Sequence, residues 1–354
     1  MKRKLLVAVP LLCLVGLVAW WFRPKHESLG EAYISERSVT IFSSMAQVRE
    51  QVGILYYGER VELLAHRNDY AKVRTTAGTE GWVDARDLMD PGLWQRSEKL
   101  LEQSKNMPVQ ARGRTKTTTN LRIAPGRTEP RLYQFNRGTE VEIFGRAVAD
   151  WVQVTDEKES SEGEANKKED WYLVRGIATR PPGDGAIRNS AVMATTQPGD
   201  QTVPIAGWVV ARFIALDLPD QVREGTSSAN VRPVAWFELN RVTDDQGEHP
   251  QYLVAGTRSA EGQPCDFTTM RVYTWNPKKT RYETAFIEND LCGAMPVQVG
   301  KGSKGEPEFR FHEMDGAKEL RVYHLVQTVV RREREEAAKG ASAGAHAKKA
   351  KHNR

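Results

Sequence analysis

The chain has 354 residues, of which 40% are hydrophobic and 27% are charged, and its formal net charge is +5. This length and apolar content predict two or three globular units rather than one small domain or a disordered chain. Acidic and basic residues are mixed along most of the sequence, so the bulk charge excludes a strongly basic nucleic-acid-binding protein, and we expect no nucleic-acid partner.

The N-terminus has basic residues at 2–4, followed by an uncharged apolar run at 5–22 that ends near Trp20 and Trp21. A run of this length can cross the hydrocarbon core as one helix, with the tryptophans at the interface. A cleaved secretory signal is the alternative, but no small-x-small cleavage site lies close to the run. We therefore predict a transmembrane signal-anchor at 1–26, with the bulk of the chain periplasmic or otherwise extracytoplasmic.

Cysteine usage agrees with export. Besides Cys13 in the apolar run, the chain contains only Cys265 and Cys292. In an oxidising compartment such a pair predicts a disulfide. Two distant thiols without nearby ligand spacing provide no metal site, so we expect neither a metal nor another cofactor.

The sequence repeats itself in three places. The matched segments occur in the same order: 57–64 with 137–144, 69–73 with 150–154, and 81–86 with 207–212. Three matches in one order indicate an internal duplication. Each copy shows short apolar-polar alternation bounded by glycine turns, which is typical of half-buried strands and predicts a small barrel.

The second copy carries four motifs, at 120–126, 138–141, 151–154 and 207–209. They are a Leu-Arg strand with a Pro-Gly turn, a Gly-x-x-Val strand, a Trp-x-x-Val strand and a closing Gly-Trp-Val. In this order they resemble the bacterial SH3-like (SH3b) family. The first copy departs from that pattern at its first strand, which lacks the Arg and the Pro-Gly, and at Tyr70, where the family favours Trp.

The resemblance implies two tandem SH3-like domains, at 37–90 and at 115–216. The second domain is longer because residues 155–206 are inserted, and surface insertions cost little loop-closure entropy. The insertion begins with a charged run, which we predict to be a hairpin tip, and continues with a Pro- and Gly-rich loop. We predict that the Gly-Trp-Val at 207–209 closes the second barrel; the alternative closing strand is 171–173.

The remaining segments follow from local patterns. Asp90 and Pro91 predict the start of a linker helix at 91–107. Long strand-like runs predict an antiparallel β-rich module at 230–330. The basic, low-complexity tail at 331–354 is predicted to be disordered, either solubilising or tethering the chain to an anionic surface. The fold class is therefore mainly β: two small SH3-like barrels plus a C-terminal antiparallel β module, with an N-terminal transmembrane helix.

No residue cluster predicts a catalytic centre, so the chain is expected to be a binding protein and not an enzyme. SH3-like barrels bind extended ligands in grooves lined by aromatic side chains. The candidate ligand-binding residues are Tyr56, Tyr57, Tyr70 and Trp82 in the first copy, and Tyr133, Phe135, Trp151 and Trp208 in the second. The strand positions of Trp82 and Trp208 favour core or barrel-closing residues over ligand-binding ones.

The resemblance implies cell-wall peptide, peptidoglycan or a partner protein as the ligand of an envelope-anchored chain. One alternative is a structural or assembly role in the envelope without a ligand. The other is an unrecognised hydrolase in the C-terminal module. The sequence does not indicate an oligomeric state.

Overall fold

The computed structural model describes residues 28–152, 167–180, 201–314 and 319–333. These residues form two compact units, the first ending at Pro91 and the second beginning at Gly92. Most of their secondary structure is strand, arranged in four sheets, so the predicted mainly β fold is confirmed. The predicted membrane segment, the charged hairpin tip and most of the basic tail lie outside the described residues. Within them, no helix combines the length and apolar character needed to cross a bilayer.

The first unit is built around a small antiparallel barrel, barrel 1, with the strand order β3-β2-β6-β5-β4-β1-β7. Its strands are β1 Gly30–Ile34, β2 Ser38–Phe42, β3 Gln51–Tyr56, β4 Arg60–Arg67, β5 Tyr70–Thr75, β6 Glu80–Asp84 and β7 Leu88–Met89. β1 precedes the predicted domain start at residue 37 and pairs with both β4 and β7. Alternate strand residues point inward and form one apolar core. The core residues are Ala32, Ile34, Val39, Ile41, Leu55, Val61, Ala71, Val73 and Val83.

Helix α1, Pro91–Lys105, begins at the last residue of the first unit and otherwise belongs to the second, which also contains a second antiparallel sheet, barrel 2. The strands of barrel 2 are β8 Ala111–Thr115, β9 Thr119–Arg122, β10 Arg131–Phe135, β11 Glu140–Asp150, β12 Lys168–Arg180, β13 Gln201–Val210 and β14 Ile214–Leu216. They lie in the order β10-β9-β13-β12-β11-β8-β14, which is the strand order of barrel 1. The register is also repeated, because Glu62 pairs with Arg74 in barrel 1 as Glu142 pairs with Arg175 in barrel 2.

The Gly-Trp-Val motif lies on the equivalent strand of both barrels. Trp82 on β6 pairs with Phe42 on β2, and Trp208 on β13 pairs with Arg122 on β9. The motif therefore connects the two halves of each sheet. In barrel 2 this strand is the one that meets β9, whereas the alternative segment 171–173 lies on the neighbouring strand β12.

The glycine of this motif is required by a close approach of two strands. A Cβ atom at Gly81 would lie 2.6 Å from the carbonyl oxygen of Phe42 and 2.5 Å from Cγ2 of Ile41. At Gly207 it would lie 2.8 Å from the carbonyl oxygen of Arg122. Close-packed interiors leave no room for an added methyl group at such distances, so both strand crossings depend on glycine.

One predicted correspondence between the two copies is wrong. The counterpart of 69–73 is 170–174 rather than 150–154, because Val73 and Val174 are the residues that pair with the two motif glycines. The sequence is misleading here because the second copy has two Asp-aromatic segments. The first of them lies at the far end of β11, which continues into a long hairpin with β12 that barrel 1 lacks.

The C-terminal part of the second unit is a sandwich of two four-stranded antiparallel sheets. The first sheet contains β15 Arg232–Asp244, β16 Gly247–Thr257, β17 Thr269–Asn276 and β18 Arg281–Glu288; the second contains β19 Gly293–Lys301, β20 Pro307–Glu313, β21 Leu320–Val326 and β22 Val329–Arg332. The sheets share one core in which Leu253 and Val272 of the first sheet meet Phe309 and Tyr323 of the second. A second helix, α2, Asp220–Ser228, precedes the sandwich.

A buried charge network joins barrel 2 to the sandwich. Asp170 on β12 accepts hydrogen bonds from Arg146 on β11 at 2.6 Å and from Arg232 on β15 at 3.3 Å. Arg146 also donates to Asp266 at 3.1 Å and to the carbonyl oxygen of Cys265 at 3.2 Å. The side chains of Arg146 and Asp170 are only 3% and 0% exposed. Buried charges are tolerated only when they are paired, so this network holds the barrel and the sandwich in one arrangement.

The predicted disulfide between Cys265 and Cys292 is confirmed. The two cysteines are 27 residues apart in sequence and lie beside strands β17 and β19. Cys265 directly precedes Asp266, so the disulfide restrains the loop that reaches Arg146 of barrel 2.

Candidate ligand-binding face of barrel 1

Barrel 1 carries a group of aromatic side chains on its outer surface. The inward residues of β6 are Gly81 and Val83, so Trp82 between them faces outward and is half-buried. Its cross-strand partner Phe42 is also half-buried, and so is Tyr70 on the adjacent strand β5. The alternating side-chain period of the strands therefore brings three rings to one side of the barrel.

Arg49 lies across two of these rings. Its Cζ atom is 3.8 Å from the ring centroid of Phe42 and 5.8 Å from that of Tyr70, within reach of a cation–π interaction. The loop that carries Arg49 is closed at its base, where the backbone N–H of Ser43 donates to the carbonyl oxygen of Glu50 at 2.9 Å. The three rings and Arg49 are called the aromatic face below.

A ladder of charged residues lies beside Trp82. Glu80 accepts hydrogen bonds from Arg74 at 2.8 Å and 3.0 Å and forms an ion pair with Lys72 at 3.0 Å. Arg74 also donates to Glu62 at 3.0 Å. Hydrogen bonds from Arg74, and then from Lys72, hold the pKa of the Glu80 carboxyl below its usual range. The carboxylate is therefore ionised at neutral pH and keeps both basic side chains next to the rings.

The aromatic face contains two of the four residues predicted in the first copy, Tyr70 and Trp82. The strand position of Trp82 also favours a core or barrel-closing residue; the Trp82 side chain is half-buried and lies outside the core, and its pairing with Phe42 joins β6 to β2. Tyr56 is half-buried at the far end of β3, where its partner is Ser38. Tyr57 is only 3% exposed, so its placement in a surface groove is corrected.

The predicted residues of the second copy do not form an equivalent face. Tyr133 and Phe135 are 3% and 1% exposed and contact each other edge to face, so both are corrected from groove residues to buried ones. Trp171, the counterpart of Tyr70, is 1% exposed. Trp208 is half-buried on the outside of β13. Trp151 directly follows β11, where its backbone N–H donates to the carbonyl oxygen of Lys167, and its ring lies next to Arg127 and Lys167.

Sequence reasoning missed two members of the aromatic face, Phe42 and Arg49. Phe42 could have been found from strand alternation, because Val39 and Ile41 are the inward residues of β2. Arg49 lies in a loop without periodicity, and only the fold places it above the rings.

Residues 47–89 match the bacterial SH3 domain family. Barrel 1 therefore contains a bacterial SH3 domain. The matched segment includes Arg49, Tyr70 and Trp82 of the aromatic face, together with strands β3 to β7. The match does not extend to barrel 2. No curated protein matches the chain.

The solved structures that are similar to the chain include three NlpC or NlpC/P60 proteins. NlpC2 from Trichomonas vaginalis is 9% identical, with a TM-score of 0.16, over 86% of this chain and 91% of its own. NlpC1 from the same organism is also 9% identical, with a TM-score of 0.16, over 86% and 87%. An NlpC/P60 family protein from Bacillus cereus is 10% identical, with a TM-score of 0.20, over 73% and 94%.

The prediction that the chain is not an enzyme is corrected, because the similar solved structures are named as NlpC and NlpC/P60 family proteins. That prediction is withdrawn. TM-scores of 0.16 to 0.20 carry no argument for a particular activity of this chain.

Proposed function

We propose that barrel 1 binds cell-wall peptide, as free segments or within peptidoglycan, on its aromatic face. The observation that carries this proposal is the grouping of Phe42, Tyr70 and Trp82 beside Arg49 on a bacterial SH3 domain. Extended peptides pack well against grooves and faces lined by aromatic rings. Arg49 supplies a guanidinium that can form a charge-assisted hydrogen bond with a carboxylate of the peptide.

The family match supports the choice of ligand. Domains of this kind commonly bind peptidoglycan or proteins. The charged ladder beside Trp82 is largely satisfied internally, because Glu80 pairs with Arg74 and Lys72. Arg49 is instead held against rings, so it can turn toward a ligand without breaking an ion pair of the ladder. An extended segment of a partner protein is the alternative ligand of this face.

We infer that barrel 2 is a second domain of the same kind that now serves as a scaffold. The identical strand order, the repeated register and the repeated glycine crossing support this assignment. The buried state of Trp171 and the charge network to the sandwich support the scaffold role. Each chain would then present one aromatic face, so two-site avidity within one chain is not expected.

We also propose that the protein works outside the cytoplasm, anchored by residues 1–26. The uncharged run at 5–22 and the Cys265–Cys292 disulfide support this placement, because disulfides persist in oxidising compartments. Mass spectrometry of the mature N-terminus tests it. An N-terminus beyond residue 26 would replace the anchor by a cleaved signal.

Cosedimentation with purified peptidoglycan sacculi tests the binding proposal. We expect the full chain to pellet with sacculi and Trp82→Ala or Phe42→Ala to weaken retention about tenfold, because an aromatic anchor of an interface contributes on the order of 1–2 kcal/mol. His66→Ala is the matched control, since it removes an exposed ring from β4 of the same barrel, and its retention should equal that of the unmodified chain. Equal retention of all variants would exclude the aromatic face, and a chain that stays wholly in the supernatant would exclude wall binding.

A further inference from the structure

A continuous run of aromatic rings crosses the outer surface of the first sheet of the sandwich. Trp236 contacts Tyr252 with ring centroids 6.2 Å apart, and Tyr252 contacts Tyr282 at 6.1 Å. Tyr282 meets Trp275 edge to face at 5.3 Å, and Trp275 stacks on His249 at 3.9 Å. The run includes residues of all four strands, and it has no counterpart among the residues singled out from the sequence.

The two rings at one end of the run are fixed in orientation by a single carboxylate. The indole N–H of Trp275 donates to one oxygen of Asp244 at 2.5 Å, and Nε2 of His249 lies 3.0 Å from the other. The hydrogen bond from Trp275 is the main cause that lowers the pKa of Asp244, so the carboxylate is ionised at neutral pH. The rings are therefore held in place before any ligand arrives, which reduces the entropy lost on binding.

The fold covers part of this sheet face and leaves part of the aromatic run accessible: Tyr252 is buried, and Trp236 and Tyr282 pack against it beside Val222 of helix α2. Helix α2 packs on the covered part, where Gly225 approaches the ring of Tyr273 and Val222 is fully buried. Trp236, Trp275 and Tyr282 remain half-exposed. Half-exposed tryptophan and tyrosine rings in a contiguous set are typical of binding surfaces.

The charges around the run restrict the class of ligand. The bordering acidic residues are Glu238, Asp244, Glu248 and Glu283, and the basic ones are Arg241, Lys279 and Arg281. A nucleic acid or another polyanion requires an excess of basic groups, which this border lacks. An apolar helix or a lipid surface would leave the charged border desolvated without new partners.

A neutral saccharide has the complementary chemistry. The C–H faces of pyranose rings pack against aromatic rings, and sugar hydroxyls donate to carboxylates and accept from basic side chains. Hydrogen bonds from Lys279, Asn276 and Arg281 lower the pKa of Glu283 to about 2, so this border acceptor stays ionised. Arg241 donates to Glu238 at 2.6 Å, and its guanidinium can donate a further hydrogen bond to a sugar hydroxyl oxygen.

We propose that this surface, the aromatic run from Trp236 to His249 with its charged border, binds a neutral glycan chain. The site belongs to the sandwich and does not depend on what barrel 1 binds. The two proposals can fail separately. The glycan proposal is tested with soluble oligosaccharides, which contain no peptide, whereas the barrel 1 proposal is tested by the sacculus retention of barrel 1 variants.

Isothermal titration calorimetry of the full chain tests the proposal with two neutral probes, chitotetraose (an N-acetylglucosamine tetramer) and maltotetraose. We expect saturable binding of at least one probe. Trp275→Ala and Tyr282→Ala should each raise the Kd about tenfold, the size expected for the loss of one stacked aromatic contact. Tyr282→Phe, which keeps the ring, should stay within about threefold of the unmodified chain.

Ile287→Ala is the matched control, because it truncates a 47% exposed side chain on the same strand β18 outside the aromatic run. Its Kd should be unchanged. If Trp275→Ala fails to fold, as judged by circular dichroism, Tyr282→Ala decides the outcome. Absence of saturable binding by both probes overturns the proposal, as does unaltered binding by the folded ring variants. Binding of a protein partner that is lost in Tyr282→Ala, without oligosaccharide binding, would reassign the surface and also overturn it.

Discussion

Gly81 shows how a single residue fixes the shape of barrel 1. We expect Gly81→Ala to lower the free energy of unfolding of barrel 1 by about 1–3 kcal/mol, because the added methyl group must displace either the Phe42 backbone or the Ile41 side chain. Urea unfolding of the full chain measures the effect. Gly145→Ala is the control, since its added methyl group meets open space. Equal losses in both variants would mean that the crossing is not tightly packed.

Glu169 gives barrel 2 a dependence on pH. It is fully buried and accepts hydrogen bonds from Arg127 at 2.8 Å and from Arg212. Burial raises the pKa of its carboxyl, but the hydrogen bonds from the two guanidinium groups outweigh burial and leave the pKa lowered. Since the folded state has the lower pKa, the stabilisation is complete above the ordinary glutamate pKa of about 4.3 and is lost as the pH falls through the folded-state value.

We therefore expect the unmodified chain to lose stability between about pH 5 and pH 3 more steeply than Glu169→Gln does. Urea unfolding at several pH values measures the difference, and at pH 7 the variant should be less stable by about 1–3 kcal/mol. Parallel pH profiles of the two proteins would contradict a role for this carboxylate. Asp266 opposes the trend, because burial raises the pKa of its carboxyl.

The element that depends most on a covalent bond is the loop that links the sandwich to barrel 2. We expect the double variant Cys265→Ser, Cys292→Ser to destabilise the second unit by about 3–4 kcal/mol, as the chain-entropy estimate gives for a loop of this size. Differential scanning calorimetry measures the change, and Cys13→Ser is the control that removes a cysteine outside this loop. An unmodified chain that melts identically with and without reductant would show that the disulfide adds nothing.

The strands could be predicted well at the level of elements, but their correspondence between barrels could not. Alternation and glycine turns indicate half-buried strands, because each strand has one face on the core. Simple sequence alignment fails at the hairpin of β11 and β12. Trp151, in the extension of this hairpin, follows an aspartate, and so does Trp171. The residue that pairs with the motif glycine on the neighbouring strand identifies the true counterpart. This pairing can be seen only in the three-dimensional structure.

At the scale of the whole molecule, the sequence predicts which side chains face outward but not which outward faces are covered. Tyr70 and Trp171 occupy equivalent strand positions, yet one is half-exposed and the other is buried. No local pattern distinguishes them, because both are aromatic residues that follow an aspartate. The aromatic run of the sandwich is likewise not visible in the sequence, where its five residues are spread from Trp236 to Tyr282.

The paired glycine crossings offer a genetic means of separating the two units. Gly81→Ala and Gly207→Ala introduce the same methyl group at the same crossing of two independent sheets. One allele would inactivate the SH3 domain of the first unit and spare the sandwich, while the other would disrupt the barrel on which the sandwich is held. Cells carrying each allele in turn would show which half of the protein a phenotype requires.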